Sequence, residues 1–405
     1  MANQHLRIGL FCSIMVTVFG HSTTVGLPLG DTIEATADRL EAEQIKAGIN
    51  VGIWPQEAEF TGSIAAGMVS AYEFTCNCAY KSSAELAGEY IIWSAQGNFY
   101  GDEAFALTRL SDVATDPCDN PWRTAVSDFY YDVKNKVGTE AYISQFAGSE
   151  PSTAVFYLAN HVVAAYYVNA EDKQIWRQGL IDYLADVDDN SVFPVGGIGI
   201  ATWALAQTGP LDETLIDPSG TGAPYWNLKK LSDLPGLLLS HQVPAGQLYA
   251  GSFYWRFDHT NGGSPSNVAA GYTEDAIFGT LGLSAAYRAN PDTNVDVAIL
   301  AARQALLSGI YEGGKVYEHL WQKDTLHYAY AGEMLEVLGE LVIPGDLNFD
   351  GGVNFTDFAI FADNWSASGC TACCWCNGAD LNHNGEVNFV DLRIIADNWL
   401  RGMSQ

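Results

Sequence analysis

The sequence predicts an all-α protein, with an (α/α)6 toroid over residues 31–342 and a small domain with two cation-binding loops over residues 345–400. Two observations predict the toroid. Apolar residues recur at three- and four-residue spacings, and every second periodic segment is rich in small and aromatic residues. One observation predicts the small domain: a twenty-residue stretch rich in oxygen-bearing side chains occurs twice within the last sixty residues.

Twelve periodic segments are separated by Gly, Pro, Asn and Asp residues, which tend to interrupt helices. They predict helices at residues 32–48, 62–75, 82–95, 102–114, 122–136, 152–168, 172–187, 196–207, 227–240, 273–288, 295–309 and 328–340. Twelve helices in succession make six pairs.

The second member of each pair has the composition of an inner helix. Segments such as GIGIATWALA combine Gly, Ala and aromatic residues, which favours burial on most sides, whereas KQIWRQGLIDYLADV keeps a charged face that suits an outer ring. Small residues let inner helices approach closely, and a closed ring hides both ends of the array. An open helical solenoid is the alternative, but it needs polar capping repeats and no strict sequence period supports it.

The repeated stretch has the pattern of a calcium loop. The copies DLNFDGGVNFTDFAIFADNW and DLNHNGEVNFVDLRIIADNW agree at thirteen of twenty positions. Oxygen-bearing side chains fall at loop positions 1, 3, 5, 9 and 12, and Gly351 or Gly385 falls at position 6, where the chain must turn sharply. The predicted ligands of two Ca²⁺ ions are Asp346, Asn348, Asp350, Asn354 and Asp357 in the first loop, and Asp380, Asn382, Asn384, Asn388 and Asp391 in the second.

This tail resembles a type I dockerin, an EF-hand-like domain of two calcium-binding loop-helix repeats that is usually attached to secreted polysaccharide-degrading enzymes. The resemblance covers about residues 345–400 and implies a cohesin-like protein partner. Loop positions 10 and 11 of dockerins usually carry small hydroxyl residues, whereas Phe355 with Thr356 and Phe389 with Val390 stand here, which speaks against cohesin docking.

The predicted ring resembles the superfamily of (α/α)6 toroids that contains glycoside hydrolases, polysaccharide lyases and terpene cyclases. This resemblance rests on the number and composition of the helices. It implies a central cleft that binds a polysaccharide. A terpene cyclase fits less well, because no DDxxD-type magnesium motif is present.

The long loops predict which end of the ring holds the cleft. Loops at 49–61, 96–101, 137–151, 188–195, 241–272 and 310–327 all lead from an outer helix into an inner one, so they lie at one end of the ring. Flat aromatic rings among polar groups suit sugars, whose C–H faces stack on rings. The predicted substrate-binding residues of this end are Tyr100, Tyr254, Trp255, Arg256, Tyr272, His319 and Trp321.

Glycoside hydrolysis needs one protonated carboxyl group and one carboxylate. The candidate catalytic residues are Asp102, Asp258 and Asp275, with Glu103, Glu274 and His259 beside them in sequence. Each acid could instead cap a helix or interact with its dipole, as could Glu150. His161, within an inner helix, fits a hydrogen-bonded core residue better than a catalytic one.

Three functions remain open at this point. A hydrolase ranks first because of the enzymes that carry dockerin-like tails, which is an association. A polysaccharide lyase acting on uronates would use His259, His319, Tyr254 and Arg256 as base and cations. A glycan-binding or cell-surface assembly protein without catalysis would keep the ring and the aromatic residues alone.

Charge, cysteines and the first residues indicate export. The formal net charge of −29, from 48 acidic and 19 basic residues, argues against nucleic-acid binding. Residues 1–20 contain a short apolar stretch typical of a secretory signal peptide. The eight cysteines suit an oxidising compartment, and the cluster Cys370, Cys373, Cys374 and Cys376 favours disulfides over a zinc knuckle.

Overall fold

A computed structural model describes residues 29–114, 120–186, 193–222, 224–258, 264–265, 270–370 and 375–401. The predicted signal peptide at residues 1–20 lies outside the described residues. Within them, no helix combines the length and the apolar character needed to cross a bilayer.

Fifteen α-helices occur in the described part of the chain. They are α1 (Leu29–Glu43), α2 (Thr61–Thr75), α3 (Cys78–Ala95), α4 (Gly101–Asp112), α5 (Pro121–Asp132), α6 (Thr139–Ile143), α7 (Pro151–Tyr167), α8 (Lys173–Asp186), α9 (Val195–Thr208), α10 (Leu234–His241), α11 (Thr273–Ala289), α12 (Thr293–Gly309), α13 (Tyr328–Glu340), α14 (Phe355–Asp363) and α15 (Phe389–Asp397). Short 3₁₀ turns and one π turn, at Val133–Val137, lie between them.

All twelve predicted toroid helices are present, with three local differences. The helix predicted at 227–240 begins only at Leu234, because residues 227 and 230 pair with Asp217 and Leu215 of the preceding loop. The helix predicted at 32–48 ends at Glu43, and the loop predicted at 137–151 contains the short helix α6. Three short antiparallel strands, β1 (Phe193–Pro194), β2 (Arg256–Asp258) and β3 (Ser264–Pro265), pair in that order among the long loops.

The inner helices close into a ring. The order around the ring is α2, α4, α7, α9, α11 and α13, and α13 packs back against α2. Helices α1, α3, α5, α8, α10 and α12 lie outside them. This closure confirms the toroid and excludes the open solenoid.

Glycines set how closely the inner helices approach. A Cβ atom on Gly67 of α2 would lie 2.1 Å from the carbonyl oxygen of Gly332 on α13, where the first and last inner helices meet. A Cβ atom on Gly282 of α11 would lie 2.5 Å from the carbonyl oxygen of Gly199 on α9. At both places backbone packs on backbone, so only glycine fits.

The tail is a small unit that packs against the ring. It has its own apolar core, which includes Val353, Phe361 and Ile395, and a disulfide joins Cys370 to Cys376. Cys373 and Cys374 lie outside the described residues. The contacts between the tail and the ring include a 3.4 Å hydrogen bond from Arg303 Nη1 to the Gly351 carbonyl oxygen and a 3.2 Å ion pair between Arg401 and Asp296. The Phe349 ring also packs on Phe74.

We predict that Gly67→Ala lowers the free energy of unfolding by about 2 to 3 kcal/mol, because the added methyl group forces α2 and α13 apart. Gly236→Ala is the matched control. Gly236 lies on the exposed face of α10, where an added Cβ atom would have no neighbouring atom within 4 Å, so alanine there leaves stability unchanged or raises it by up to about 1 kcal/mol. Urea unfolding followed by circular dichroism measures the stability of both variants. Equal urea midpoints for the two variants would contradict the close contact between Gly67 and Gly332.

Candidate active site

Two pairs of consecutive acids lie in the first turns of two inner helices. Asp102 and Glu103 belong to α4, and Glu274 and Asp275 belong to α11. Helices α4 and α11 are second and fifth in a ring of six, so they face each other across the lumen. The fold therefore brings together four of the predicted catalytic residues at the end of the ring where the long loops lie.

Asp102 is a buried carboxyl group with one free oxygen. The side chain is 1% exposed, its Oδ2 accepts a 3.3 Å hydrogen bond from the Ser63 backbone N–H, and its Oδ1 has no hydrogen-bond partner. Asp102 thus caps the neighbouring helix α2. Burial raises the pKa of Asp102 to about 8, and the negative charge of Glu103 adds to the rise.

Glu103 caps its own helix. One carboxylate oxygen accepts a 2.8 Å hydrogen bond from the Tyr100 backbone N–H, and burial raises the pKa of Glu103 to about 7. The Tyr100 ring is more than half exposed and stacks on Tyr157 of α7, with centroids 5.2 Å apart. An exposed aromatic face therefore lies beside the first acid pair.

Asp275 and Glu274 have different environments. Asp275 Oδ1 accepts a 2.8 Å hydrogen bond from the Gly196 backbone N–H, so Asp275 caps α9, and burial raises its pKa well above the usual value. Glu274 is half-buried and accepts a 3.4 Å hydrogen bond from the Tyr330 hydroxyl group. Burial raises the pKa of Glu274, and the Glu150 charge contributes to the rise.

Glu150 and His161 play the structural roles that the sequence allowed for them. Glu150 caps α7 by accepting a 3.1 Å hydrogen bond from the Thr153 backbone N–H. His161 is fully buried among aromatic rings, its Nδ1 lies 3.2 Å from the Tyr130 hydroxyl oxygen, and burial lowers its pKa to about 3. His161 therefore belongs to the core, on the side of α7 that faces the outer helices.

Sequence reasoning missed Glu57, whose partner is His327 at the end of the loop 310–327. Both carboxylate oxygens of Glu57 accept hydrogen bonds from the first turn of α13, from the backbone N–H groups of Tyr328 at 3.0 Å and Ala329 at 2.6 Å. Burial alone would raise the pKa of Glu57, yet these bonds and the contact with His327, at 3.5 Å, bring it below its usual value. The His327 ring lies 4.4 Å from the Tyr330 ring, whose hydroxyl group reaches Glu274.

Two further acids, Glu333 and Glu336 of α13, also lie in the lumen and were missed. Glu333 is 7% exposed, and burial together with the charge of Glu274 raises its pKa well above the usual value. Burial raises the pKa of Glu336 to about 7, and an Arg109–Glu73 ion pair of 2.6 Å lies nearby. The available signal was a pair of acids, three residues apart, in the otherwise apolar stretch AGEMLEVLG.

The predicted substrate-binding residues of the long loops form a group of rings. Trp255 packs on Tyr272 at 5.8 Å, Tyr272 packs on His319 at 4.2 Å, and the Arg256 guanidinium group lies 4.8 Å from the Trp255 ring centre. The Tyr254 hydroxyl group donates to Gln247 at 3.0 Å.

Trp321, in the loop 310–327, stacks on Tyr249 of the loop 241–272, with ring centres 5.0 Å apart. Sequence reasoning did not single out Tyr249. Two loops distant in sequence supply this pair. His319 Nδ1 lies 2.5 Å from Asp324 Oδ2, and with Glu318 these side chains form a compact set of potential metal ligands.

The roles of all six predicted catalytic residues stay predictions, and for two of them the structure describes no side chain. Asp258 ends strand β2, where its backbone pairs with Ser264. His259 lies outside the described residues.

The tail loops repeat one hydrogen-bonding scheme. Asp346 accepts from the backbone N–H groups of Asp350 and Gly351, and Asp380 accepts from those of Asn384 and Gly385. The position-12 carboxylates are equally buried: Asp357 accepts from the N–H groups of residues 347, 348 and 354, and Asp391 from those of residues 382 and 388. Gly351 and Gly385 have φ angles of 98° and 92°, as a sharp turn at position 6 requires.

The position-12 residues lie in the first turns of α14 and α15, so each loop leads directly into a helix. Asn348, Asp350 and Asn354, and their counterparts Asn382, Asn384 and Asn388, all accept hydrogen bonds from loop N–H groups. This confirms two loop-helix repeats in one register.

Comparison with solved structures shows the fold. The alpha-1,6-mannanase of Salegentibacter sp. HEL1_6 superposes with a TM-score of 0.50 at 12% sequence identity, covering 77% of this chain and 98% of the mannanase. An inactive variant of that mannanase, altered at two consecutive aspartates and bound to alpha-1,6-mannotriose, superposes with a TM-score of 0.51 at 12% identity, covering 77% and 99%. No protein-family model and no curated protein matches the sequence.

We predict that the buried lumen acids make the fold less stable as pH rises. The folded-state pKa of Asp102 is raised to about 8 against about 4 when unfolded, so its neutral form stabilises the fold fully below about pH 4. That contribution is lost as pH rises to about 8, at up to about 1.4 kcal/mol per pH unit.

Asp102→Asn tests the predicted direction of this pH dependence, because asparagine keeps an oxygen for the Ser63 N–H and cannot ionise. Urea unfolding at pH 5 and pH 8 is expected to show a smaller difference for the variant than for the wild type. Asp128→Asn, on the exposed face of α5, is the control and keeps the wild-type difference. A wild-type protein equally stable at both pH values would be incompatible with this account.

Proposed function

We propose that the chain is a secreted polysaccharide-degrading enzyme, a glycoside hydrolase, with a calcium-binding tail. The observation that carries the proposal is the placement of two consecutive-acid pairs on opposite inner helices of a closed ring. Glycoside hydrolysis requires carboxyl groups on both sides of the scissile bond, and this arrangement supplies them.

Asp102 is the proposed proton donor. A carboxyl group whose pKa is about 8 keeps its proton at neutral pH and can give it to the leaving oxygen of a glycosidic bond. On the opposite inner helix, Glu274 is the proposed second carboxyl group. Burial raises the pKa of Glu274, and the charge of Glu150 adds to the rise. As a carboxylate, Glu274 attacks the sugar or activates water.

Aromatic rings beside the acids fit a sugar polymer. The Tyr100–Tyr157 stack adjoins the proposed proton donor, and the Tyr249–Trp321 and Trp255–Tyr272 pairs lie on the long loops. The inactive mannanase variant carries changes at two consecutive aspartates, and this chain has a pair of consecutive acids in the first turn of each of two inner helices, α4 and α11. Alpha-1,6-linked mannan is therefore the first polymer to test.

Export and calcium complete the proposal. Residues 1–20 supply the secretory signal, and the Cys370–Cys376 disulfide suits an oxidising compartment. The exposed rings of Phe355 and Phe389 occupy the loop positions at which dockerins usually carry small hydroxyl residues, so a cohesin partner is not included.

The tail residues fit calcium. Burial raises the pKa of Asp346 to about 6, and the nearby charges of Asp357 and Asp350 add to the rise, as expected of carboxylates crowded around a cation site. A hard divalent ion prefers six to eight oxygens, which the two loops supply mainly from carboxylate and amide side chains. Calcium would neutralise these carboxylates and stabilise each loop, since the tail alone has only a small core.

We predict that the purified protein releases reducing ends from a polysaccharide and that the two acid pairs are needed. Asp102→Asn with Glu103→Gln, and separately Glu274→Gln with Asp275→Asn, are expected to lower kcat about 1,000-fold or more while glycan binding persists. Amide side chains keep the hydrogen bonds to Ser63 and Gly196, so loss of folding is not the cause.

Glu89→Gln, on the exposed face of outer helix α3, is the control and keeps full activity. Assays of binding and cleavage on a panel of alpha- and beta-linked polymers, including uronate polymers, distinguish a hydrolase from a lyase and from a non-catalytic glycan-binding protein. Unsaturated products would assign the chain to the lyases, and binding without any cleavage would assign it to non-catalytic glycan-binding proteins. Full activity in both double variants would refute the assigned acids.

We predict that two calcium ions bind the tail independently. Calorimetry on the whole chain is expected to show two sites, one of which is lost in Asp350→Ala and the other in the equivalent Asn384→Ala. Chelator is expected to lower the unfolding temperature of the tail and to leave that of the ring unchanged. Two unaffected sites in both variants, or no calcium binding, would contradict the assignment.

A further inference from the structure

Four buried polar atoms without a hydrogen-bond partner of good geometry belong to residues that line one small cavity in the lumen. They are Ser63 Oγ, Asp102 Oδ1, Trp203 Nε1 and Glu333 Oε2. Their side chains come from four different inner helices, α2, α4, α9 and α13, and each residue is more than nine-tenths buried. Two of these residues, Ser63 and Glu333, lie close enough for the hydroxyl group to affect the pKa of the acid. Buried polar atoms are nearly always hydrogen-bonded, so four in one place indicate an occupant.

The size and chemistry of the cavity fit one water molecule. Its volume of about 20 Å³ exceeds the 10 to 15 Å³ that one water molecule needs. The Trp203 N–H is a donor, the Ser63 hydroxyl group can donate or accept, and the carboxyl groups of Asp102 and Glu333 donate when protonated and accept when ionised. A water molecule, which donates two hydrogen bonds and accepts two, can serve all four groups.

A shared metal ion fits less well. In the described part of the chain, the only three acid or histidine side chains with ligand atoms within 4.8 Å of one another are Glu318, His319 and Asp324, on the loop rim. The lumen acids do not form such a set of three.

We propose that this cavity holds one structural water that hydrogen-bonds Asp102 to Glu333, Ser63 and Trp203, and that Glu333 is a positioning residue acting on Asp102 through it. The effect of Glu333 on catalysis rests on the proposed role of Asp102 as proton donor. The presence of the water molecule does not depend on that role. When Asp102 gives up its proton, the water turns its hydrogens toward the new carboxylate and stabilises it.

Other charged groups face the same pair. They are Glu103 on α4, Glu274 and Asp275 on α11, and Glu336 on α13 with Arg109 behind it, together with the hydroxyl groups of Tyr157 and Tyr330. The water molecule, unlike these groups, can stabilise the ionised form of Asp102 by a hydrogen bond without adding a charge of its own. Removing it leaves the ionised form of Asp102 with fewer hydrogen bonds and raises the pKa of that carboxyl group.

The first test is a high-resolution crystal structure of the whole chain. It is expected to show one water within hydrogen-bonding distance of all four atoms. An empty cavity, a cavity closed by a side chain, or a metal ion in it would overturn the proposal.

The second test follows the ionisation of Asp102 by infrared difference spectroscopy, with Asp102→Asn identifying its signal. Glu333→Leu fills the cavity with apolar atoms and is expected to raise the midpoint by about one pH unit. Glu333→Gln keeps a polar partner for the water and is expected to stay near the wild-type midpoint. Ser63→Ala, which removes one donor, is expected to give a smaller rise and replaces Glu333→Leu if that variant fails to fold.

An unchanged midpoint in both Glu333→Leu and Ser63→Ala would refute the role of Glu333. If a cleaved glycan is found, the alkaline limb of its pH profile is expected to shift in the same direction. If none is found, the proposed hydrolase fails, while the crystal structure and the infrared midpoints still decide whether the water couples these residues.

Discussion

The direct contact of backbone with backbone between inner helices is the constraint on which the rest of the structure depends. Gly67 against Gly332 joins the first inner helix to the last, and Gly282 against Gly199 joins the fifth inner helix to the fourth. Helices this close leave a narrow lumen with little space for water. Any polar group that faces inward must therefore find a partner in the protein or in an enclosed water molecule, or lose its charge.

That narrow lumen explains the chemistry of the acids. The first N–H groups of α2 and α9 have no partner within their own helices, and Asp102 and Asp275 reach across from neighbouring helices to accept from them. The same burial that places these carboxyl groups raises their pKa values. Helix capping and a supply of protons at neutral pH are thus two results of one packing arrangement.

The sequence predicted what depends on local pattern. Helical periodicity located twelve helices, the positions of long loops identified the end of the ring that holds Asp102 and Glu274, and the duplicated spacing identified both tail loops. Long-range contacts were not predictable: the late start of α10 depends on pairing with Leu215 and Asp217, and the Tyr249–Trp321 stack joins two distant loops. Glu333 was missed because an acid within a helix usually marks an exposed face, and only closure of the ring buries it.

The capping role of the lumen acids bears on how this protein would be recognised among related sequences. A relative that had lost catalysis would still need an oxygen at the positions of Asp102 and Asp275, because α2 and α9 would otherwise begin with unsatisfied N–H groups. Selection for folding alone would accept aspartate or asparagine there. A retained aspartate would therefore be a poor mark of activity in such a lineage, and Glu274, which caps no neighbouring helix among its described contacts, would be the more informative position to follow.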